Sequence, residues 1–488
     1  SRLGWSTPTL VVHDGVVLSA DRAVSAPDQN EPAGPRKVQW IVNSKGGDAP
    51  VGEMIAFSAK TGERLWSCPC RETYNAPVDV LVADGLVWTG DLVRAKDPGI
   101  TMARALKTGE IRKQRPPDSE FFKPGMGHHR CYRNKATNRY LLLGRAGVEF
   151  IELGSGKAVP NHWVRGTCQY GIMPCNGLLY APSHSCACFI TAKLSGFNAL
   201  APARDSKVQR PGSRVRLERG PAYTEDRRQR TEDRSADDWP MYRHDAARSS
   251  FTKSIVPVAL RRTWQAQLPG RLTSPVVADG KVFVVSVDMH TVHALDAADN
   301  GKELWNYTAG GRVDSPPTIY RGLVLFGSAD GWVYCLAASD GKLVWRFRAA
   351  PEDCRVVAYG QLESAWPVHG SVLVHDDVAY FAAGRSSYLD GGIYLYRLNP
   401  KTGRKLSETR INSRDPKTGA EPKGIIRGTN MPGALPDVLS SDGKSVYMRH
   451  MRFDLNGVEQ EQTVPHLYSS VGFLDDSWWH RTYWIVGT

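Results

Sequence analysis

The residues with the strongest potential for chemistry are cysteines and histidines gathered between positions 128 and 188. The motifs HHRC (128–131) and SHSCAC (183–188), with Cys168 and Cys175 between them, contain five of the nine cysteines and three histidines. Thiolates and imidazoles are the preferred ligands of zinc, and a structural zinc site usually takes four of them. This segment therefore predicts a structural zinc site.

The spacing within SHSCAC limits which side chains can share one ion. Cys186 and Cys188 are two positions apart and lie on the same side of an extended strand. His184 has the same parity, but positions four apart in a strand are separated by about 13 Å, so a ligating His184 must lie in the turn after Pro182. The predicted ligands are Cys175, His184, Cys186 and Cys188, with Cys168 as a substitute, closing a hairpin formed by residues 177–182 and a partner strand. Two other interpretations stay open: disulfides, for example one involving Cys168 and Cys175, and buried thiols that only pack.

A second group in the same region has acid, base and cation chemistry. Its members are His128, His129, Arg130, Tyr132, Arg145, His162 and Arg165. A histidine or tyrosine that removes a proton, beside an arginine that holds a carboxylate, is suited to β-elimination on a uronic-acid polysaccharide. His128, His129 and Arg145 are therefore candidate catalytic residues of a polysaccharide lyase. The alternative is that these are ordinary residues of loops and strand edges, because catalysis requires convergence in space.

The elements that must position these residues form a repeat. Residues 275–305 and 316–345 match in order: Ser-Pro, a turn glycine, an apolar strand, an aspartate, a second strand and a Gly-Lys turn that ends on tryptophan. The turn glycines Gly301 and Gly341 lie 40 positions apart, which is the length of one four-stranded propeller blade. The chain is predicted to be an all-β protein, a β-propeller of four-stranded blades, with Trp305 and Trp345 packed between blades.

Degenerate copies of the closing turn extend the repeat along the chain. They occur at 61–66, 108–113, 155–163 and 402–406. With a further strand pair expected at 440–450 and 476–487, seven or eight blades are predicted.

Two stretches interrupt the repeat. Residues 203–238 mix both charge signs without apolar periodicity and predict an exposed linker or loop. Residues 409–435, rich in proline, glycine, lysine and asparagine, predict a long surface excursion. We therefore expect N-terminal blades over 1–202, including the Cys/His-rich blade, and C-terminal blades over 239–488, in one ring rather than two.

The chain resembles the pyrroloquinoline-quinone (PQQ)-like β-propeller repeat family. The resemblance rests on DWPMYRHDAARS (238–249), on the strands that begin SPVVADGKVFV and SPPTIYRGLVLFGS, and on the turns GKELW and GKLVW. It is good over residues 239–406 and looser over 1–200. The family includes the propeller lipoprotein of outer-membrane protein assembly and the quinoprotein alcohol dehydrogenases. The resemblance implies a propeller in the periplasm or outside the cell, with a binding or scaffold role and an envelope protein or an acidic polysaccharide as partner.

The same resemblance raises the question of a quinone cofactor. Many dehydrogenases of the family carry a pair of adjacent cysteines over the cofactor and a calcium site of carboxylates beside it. This chain contains no Cys-Cys dipeptide, so PQQ binding is not expected. Three hypotheses follow: an envelope scaffold with a structural zinc site, a polysaccharide lyase similar in general plan to the ulvan lyases, and a quinone-dependent oxidoreductase.

Bulk composition excludes several classes. The 488 residues carry a formal charge of +12, but much of the arginine lies in one low-complexity stretch, so nucleic acid is not expected as a partner. An acidic polysaccharide or an anionic envelope would suit this charge equally well. No apolar run approaches the roughly 18 residues needed to cross a bilayer. The chain begins with Ser1 rather than methionine and opens inside a repeat-like pattern, which is the pattern expected if a signal peptide, with or without earlier repeats, has been removed.

Overall fold

The repeat pattern of the sequence can be followed strand by strand in a computed structural model. It describes residues 9–21, 52–70, 79–89, 100–116, 132–144, 147–168, 170–183, 189, 191–202, 215–224, 238–421, 431–461, 466–469, 472–473 and 484–487. Antiparallel β-strands are the regular structure of these residues, and no helix occurs among them. The all-β prediction is confirmed.

The chain divides into two compact units. The N-terminal unit comprises Ser1–Arg204 and Glu421–Pro432, and the C-terminal unit comprises Asp205–Ala420 and Gly433–Thr488. Each unit is described by itself below.

The N-terminal unit contains four-stranded antiparallel sheets in which consecutive strands are neighbours. The first sheet has β1 (Thr9–His13), β2 (Val16–Asp21), β3 (Gly52–Ser58) and β4 (Arg64–Cys70). The second has β5 (Leu81–Ala83), β6 (Leu86–Thr89), β7 (Met102–Ala105) and β8 (Ile111–Gln114). The third has β9 (Lys135–Ala136), β10 (Tyr140–Leu143), β11 (Glu149–Glu152) and β12 (Ala158–Val159). A three-stranded sheet follows, with β13 (Met173–Cys175), β14 (Leu178–Ala181) and β15 (Asn198–Leu200).

The C-terminal unit repeats the same plan. One sheet has β17 (Val276–Ala278), β18 (Lys281–Ser286), β19 (Thr291–Asp296) and β20 (Glu303–Thr308). The next has β21 (Thr318–Tyr320), β22 (Leu323–Gly327), β23 (Trp332–Ala337) and β24 (Leu343–Arg348), with β16 (Leu217–Arg219) added beside β24. The third has β27 (Leu373–His375), β28 (Val378–Ala383), β29 (Ile393–Leu398) and β30 (Lys405–Ile411). Smaller sheets are formed by β25 (Arg355–Ala358) with β26 (Gln361–Ser364), by β31 (Ser440–Ser441), β32 (Ser445–Met448) and β33 (Met451–Asp454), and by β34 (His466–Ser469) with β35 (Trp484–Gly487).

A shared irregularity relates three of the degenerate copies to the two matched repeats. The ladder between the third and fourth strands shifts register just before the closing turn in both matched repeats, at Ala294/Leu295 and Cys335/Leu336. The same shift occurs between β29 and β30, between β3 and β4 and between β7 and β8. Such a bulge turns the strand and is a structural feature rather than a defect. The four-stranded blades predicted from the sequence are confirmed in both units, while the total number of blades stays a prediction.

The closing tryptophans join one blade to the next. The indole N–H of Trp345 donates to the carbonyl oxygen of Pro400 (3.1 Å), and that of Trp305 donates to Ala338 (3.2 Å). Each ring lies against the closing-turn glycine of the following blade, so that a Cβ on Gly403 would approach Trp345 to 2.7 Å. Trp66 makes the equivalent bond to Leu106 (2.9 Å) in the N-terminal unit. The predicted burial of Trp305 and Trp345 is confirmed.

The two interrupting stretches differ from simple loops where the structure describes them. Within 203–238, residues 217–219 form β16 and extend the sheet of β24. Within 409–435, Glu421, Met431 and Leu435 are buried, so the prediction of a surface excursion is wrong for these residues. At these two places backbone hydrogen bonds and apolar contacts hold the chain against the rest of its unit. A sequence without periodicity gives no indication of such contacts.

No helix in the described residues is long and apolar enough to span a membrane.

Candidate functional site

Most of the predicted site residues lie outside the described part of the chain. This holds for the candidate catalytic residues His128, His129 and Arg145, and for the candidate zinc ligands His184, Cys186 and Cys188. The zinc site and the lyase chemistry therefore stay predictions.

The hairpin predicted to carry the zinc site is present. Strands β13 and β14 pair through Met173↔Tyr180 and Cys175↔Leu178. Cys175 ends β13 with its side chain exposed, and Cys168 lies half-buried ahead of the hairpin. Within the described ranges, no three His, Cys, Asp or Glu side chains are placed to hold a metal ion.

Part of the predicted acid–base group comes together in the N-terminal unit. His162 lies between two buried carboxylates, with Nδ1 3.0 Å from Glu421 and Nε2 3.5 Å from Glu149. The backbone N–H of His162 also donates to Glu421 (3.2 Å). Glu149, which is 0% exposed, accepts from the backbone N–H of Gly147 (2.9 Å). We call His162, Glu149 and Glu421 the His162 cluster.

The charge state of the His162 cluster follows from its surroundings. Burial by itself would lower the pKa of His162, but the hydrogen bond and charge of Glu421, with the charge of Glu149, raise it above the usual value. The carboxylates approach opposite nitrogens of one ring, so they cannot converge on a single metal ion with it. The two glutamates thus favour the protonated form of the His162 imidazole.

Two other members of the predicted group pack close by. Tyr132 donates its hydroxyl to the carbonyl oxygen of Gly147 (2.9 Å), and the Arg165 guanidinium lies 5.8 Å from the Tyr132 ring centroid. Tyr132 and Arg165 are both buried, as is Lys193. Buried charges must be paired to be tolerated. In the His162 cluster, Glu421 comes from a part of the sequence far from His162 and Glu149. The cluster thus ties the 147–165 region to the segment that begins at Glu421.

In the C-terminal unit, charged residues gather on the loops that connect one blade to the next. Asp314, between β20 and β21, accepts from His369 Nδ1 (2.7 Å) and from the backbone N–H of Gly370 (2.9 Å). The two side chains keep only 19% and 24% of their surface exposed. Burial alone would raise the pKa of Asp314, but the positive charge of His369 and these hydrogen bonds hold it at about 2. The same pairing raises the pKa of His369, against the effect of burial.

A cavity of about 340 Å³ lies in the same unit, beside a second buried carboxylate. Asp437 accepts from the backbone N–H groups of Val438 (2.8 Å) and Phe473 (2.9 Å). Burial raises the pKa of Asp437, and the charge of Arg449 opposes that rise. Tyr447, His466 and Tyr468 form an aromatic wall of the cavity.

One arrangement has the connectivity of a hydrolytic triad without its accessibility. Ser286 Oγ lies 3.0 Å from His293 Nε2, and His293 Nδ1 lies 2.6 Å from Glu303. Ser286 is 0% exposed, so its hydroxyl cannot meet a substrate carbonyl in this conformation. The three residues lie on adjacent strands β18, β19 and β20 and stabilise that blade. In the sequence these three residues are marked only by their alternating positions along the strands. Residues that merely pack have the same alternation, so it does not identify a catalytic triad.

Comparison with known proteins identifies the repeats. Residues 258–432 match the model of a family described as outer membrane protein assembly factor BamB. The outer membrane protein assembly factor BamB of Burkholderia pseudomallei (strain K96243) is 33% identical over 154 residues, which are 31% of this chain and 35% of that protein. The putative dehydrogenase XoxF of Paracoccus denitrificans is 33% identical over 133 residues, 23% of this chain and 22% of that protein. The chain thus spans about a third or less of the length of these curated relatives.

Among solved structures, the quinohemoprotein alcohol dehydrogenase from Comamonas testosteroni is similar, with a TM-score of 0.36 and 18% identity, over 46% of this chain and 40% of that chain. The family model matches the region where the Trp-closed, bulged blades recur most regularly. Over residues 258–432 the chain is similar to the PQQ-like β-propeller repeat family.

Proposed function

We propose that this protein is a scaffold of the cell envelope that binds another envelope protein through an apolar patch on its C-terminal unit. The family match and the relatives named as outer membrane protein assembly factors support an envelope role. A periplasmic location follows from the same resemblance and belongs to the proposal. The structural zinc site at Cys175, His184, Cys186 and Cys188 belongs to it too, as a clamp on the β13–β14 hairpin.

The observation that carries the proposal is the exposed face of the β25–β26 hairpin. Val357 and Leu362 are cross-strand partners, and they are 77% and 62% exposed. Tyr359, at the tip, is 73% exposed, and Met289 on a neighbouring blade is 54% exposed. Single exposed apolar residues are ordinary, but several on one hairpin and on the turn bonded to it, with tyrosine and methionine among them, are typical of protein-binding surfaces. We call these four residues the hairpin patch.

The hairpin patch is held rigidly by polar contacts beneath it. Glu363 accepts from the Arg312 guanidinium (2.7 and 3.4 Å), and both side chains are buried. The same guanidinium lies 4.1 Å from the ring centroid of Tyr359. Gln361 contacts His290 Nε2 (2.6 Å) and donates to the carbonyl oxygen of Asp288 (3.1 Å), which joins the hairpin to the turn that carries Met289. A preorganised surface loses less conformational entropy on binding.

Site-specific photo-crosslinking tests the proposal. A photoreactive phenylalanine analogue is introduced at Tyr359, and a matched control carries it at Leu406 on β30, which is 39% exposed. Both proteins are expressed in cells and irradiated. We expect a discrete adduct with one envelope protein at position 359, competed by unlabelled wild-type protein and absent at 406. The same adducts at both positions, or none at 359, would contradict the proposal.

A further inference from the structure

The cavity beside Asp437 has a wall of aromatic rings contributed by two sheets. Tyr447 lies on β32, and His466 and Tyr468 lie on β34. The centroids of Tyr447 and His466 are 4.9 Å apart at 51°, and those of His466 and Tyr468 are 5.8 Å apart at 47°. Rings tilted in this way present faces and edges to the same space, which suits contact with the C–H groups of a ligand.

Polar groups stand opposite the aromatic wall. The carboxylate of Asp437 is fixed by two backbone N–H groups, but a carboxylate has about four lone-pair sites, so it retains acceptor capacity. The hydroxyls of Ser440 and Ser469 line the same cavity and have no hydrogen-bond partner among the described residues. The Arg449 side chain adds a donor there.

These features select among ligand classes. A purely apolar ligand would offer no partner to the remaining acceptor sites of Asp437 or to the two serine hydroxyls, which costs free energy where these groups lose contact with water. An anionic ligand would meet two carboxylates, Asp437 and Asp442, and one cation, Arg449. A ligand with one C–H face and several hydroxyls satisfies both sides of the cavity. At about 340 Å³ the space falls within the range of small-molecule pockets.

We propose that this cavity binds a neutral saccharide, with a sugar ring against Tyr447 and Tyr468 and its hydroxyls on Asp437, Arg449 and Ser469. The site is independent of the hairpin patch, so failure of either proposal leaves the other intact. It gives the scaffold a second partner, a glycan, on the same unit.

Isothermal titration calorimetry of the full chain tests this inference with defined probes. Cellobiose, maltose and N,N′-diacetylchitobiose are the neutral probes, and sodium glucuronate is the charged comparator. The variants are Tyr447→Ala, which removes one ring, and Ser469→Ala, which removes one hydroxyl with little effect on packing. Tyr170→Ala is the matched control, because Tyr170 lies in the N-terminal unit and is 80% exposed. Melting temperatures establish that each variant is folded.

We expect saturable millimolar binding of at least one neutral disaccharide, weakened about tenfold or more by Tyr447→Ala and measurably by Ser469→Ala. Tyr170→Ala should bind as the wild type does. The proposal is overturned if no neutral probe binds, if glucuronate binds more tightly than all of them, or if Ser469→Ala and a folded Tyr447→Ala bind with unchanged affinity.

Discussion

Removing the indole of Trp345 is expected to destabilise the C-terminal unit strongly. The side chain is 0% exposed, and its ring fills the space between β24 and the closing turn of the next blade, against Gly403. Truncation of a buried tryptophan to alanine costs about 3–5 kcal/mol of unfolding free energy through lost burial and the cavity left behind. The substitution also leaves the Pro400 carbonyl without its indole donor, which adds about 1 kcal/mol. We therefore expect Trp345→Ala to lose about 4–6 kcal/mol.

Conservative variants divide this effect into its parts. Trp345→Phe keeps most of the ring and loses the bond to Pro400, so its expected loss is smaller, about 1–3 kcal/mol. Gly403→Ala should disturb the same contact from the side of the glycine, because its Cβ would lie 2.7 Å from the indole and the backbone φ is +69°. Leu304→Ala on β20 is the matched control, since Leu304 is 42% exposed and should lose under about 1 kcal/mol.

Urea unfolding followed by far-UV circular dichroism measures these differences. If Trp345→Ala loses no more free energy than Leu304→Ala, Trp345 does not join two blades as described, and the repeated Trp–Gly contact is not a stabilising element of this fold.

Three further predictions concern charge and metal. Asp314, with a pKa near 2 against 3.8 for an unperturbed carboxyl, contributes about 2 kcal/mol above pH 4 that is lost as the pH falls toward 2. Asp314→Asn should therefore melt lower than wild type at pH 7, and the gap should close at low pH; a constant gap would refute the pairing with His369. His162 has a raised pKa, so its stabilisation is present below pH 6.5 and is lost as the pH rises through the folded value. In thermal melts from pH 6 to 9, the melting temperature of Glu421→Gln should fall less with rising pH than that of the wild type. An unchanged slope of melting temperature against pH would count against the His162 cluster. Purified protein should bind zinc, Cys186→Ser should lose it, and Cys354→Ser should retain it; metal analysis that finds no zinc while every thiol titrates would reject the site.

The blades could be predicted because their information is local. Each strand, turn glycine and closing tryptophan of residues 275–345 lies within one repeat length, and the period-2 pattern states which side chains face the core. The β13–β14 hairpin could be predicted for the same reason, since its two strands are separated by a two-residue turn. The bulges before the closing turns could not be predicted, because an extra residue in one strand is recognised only when that strand is paired with its neighbour.

The candidate sites depended on contacts that no local pattern encodes. Glu421 lies in a stretch without periodicity, yet its carboxylate is buried against His162, 259 positions away in sequence. Asp314 with His369, and Asp437 with Arg449, are likewise ordinary loop residues until the blades bring their loops together.

By itself the sequence determined the repeat, the strand alternation, the Trp-closed turns and the family resemblance, because each of these is set by neighbours along the chain. Only the tertiary structure decided which charges are buried and paired, since the free energy of a buried ion depends on the partners and the desolvation supplied by distant segments. It also brought together the residues of the hairpin patch and of the Asp437 cavity, which no sequence motif marks.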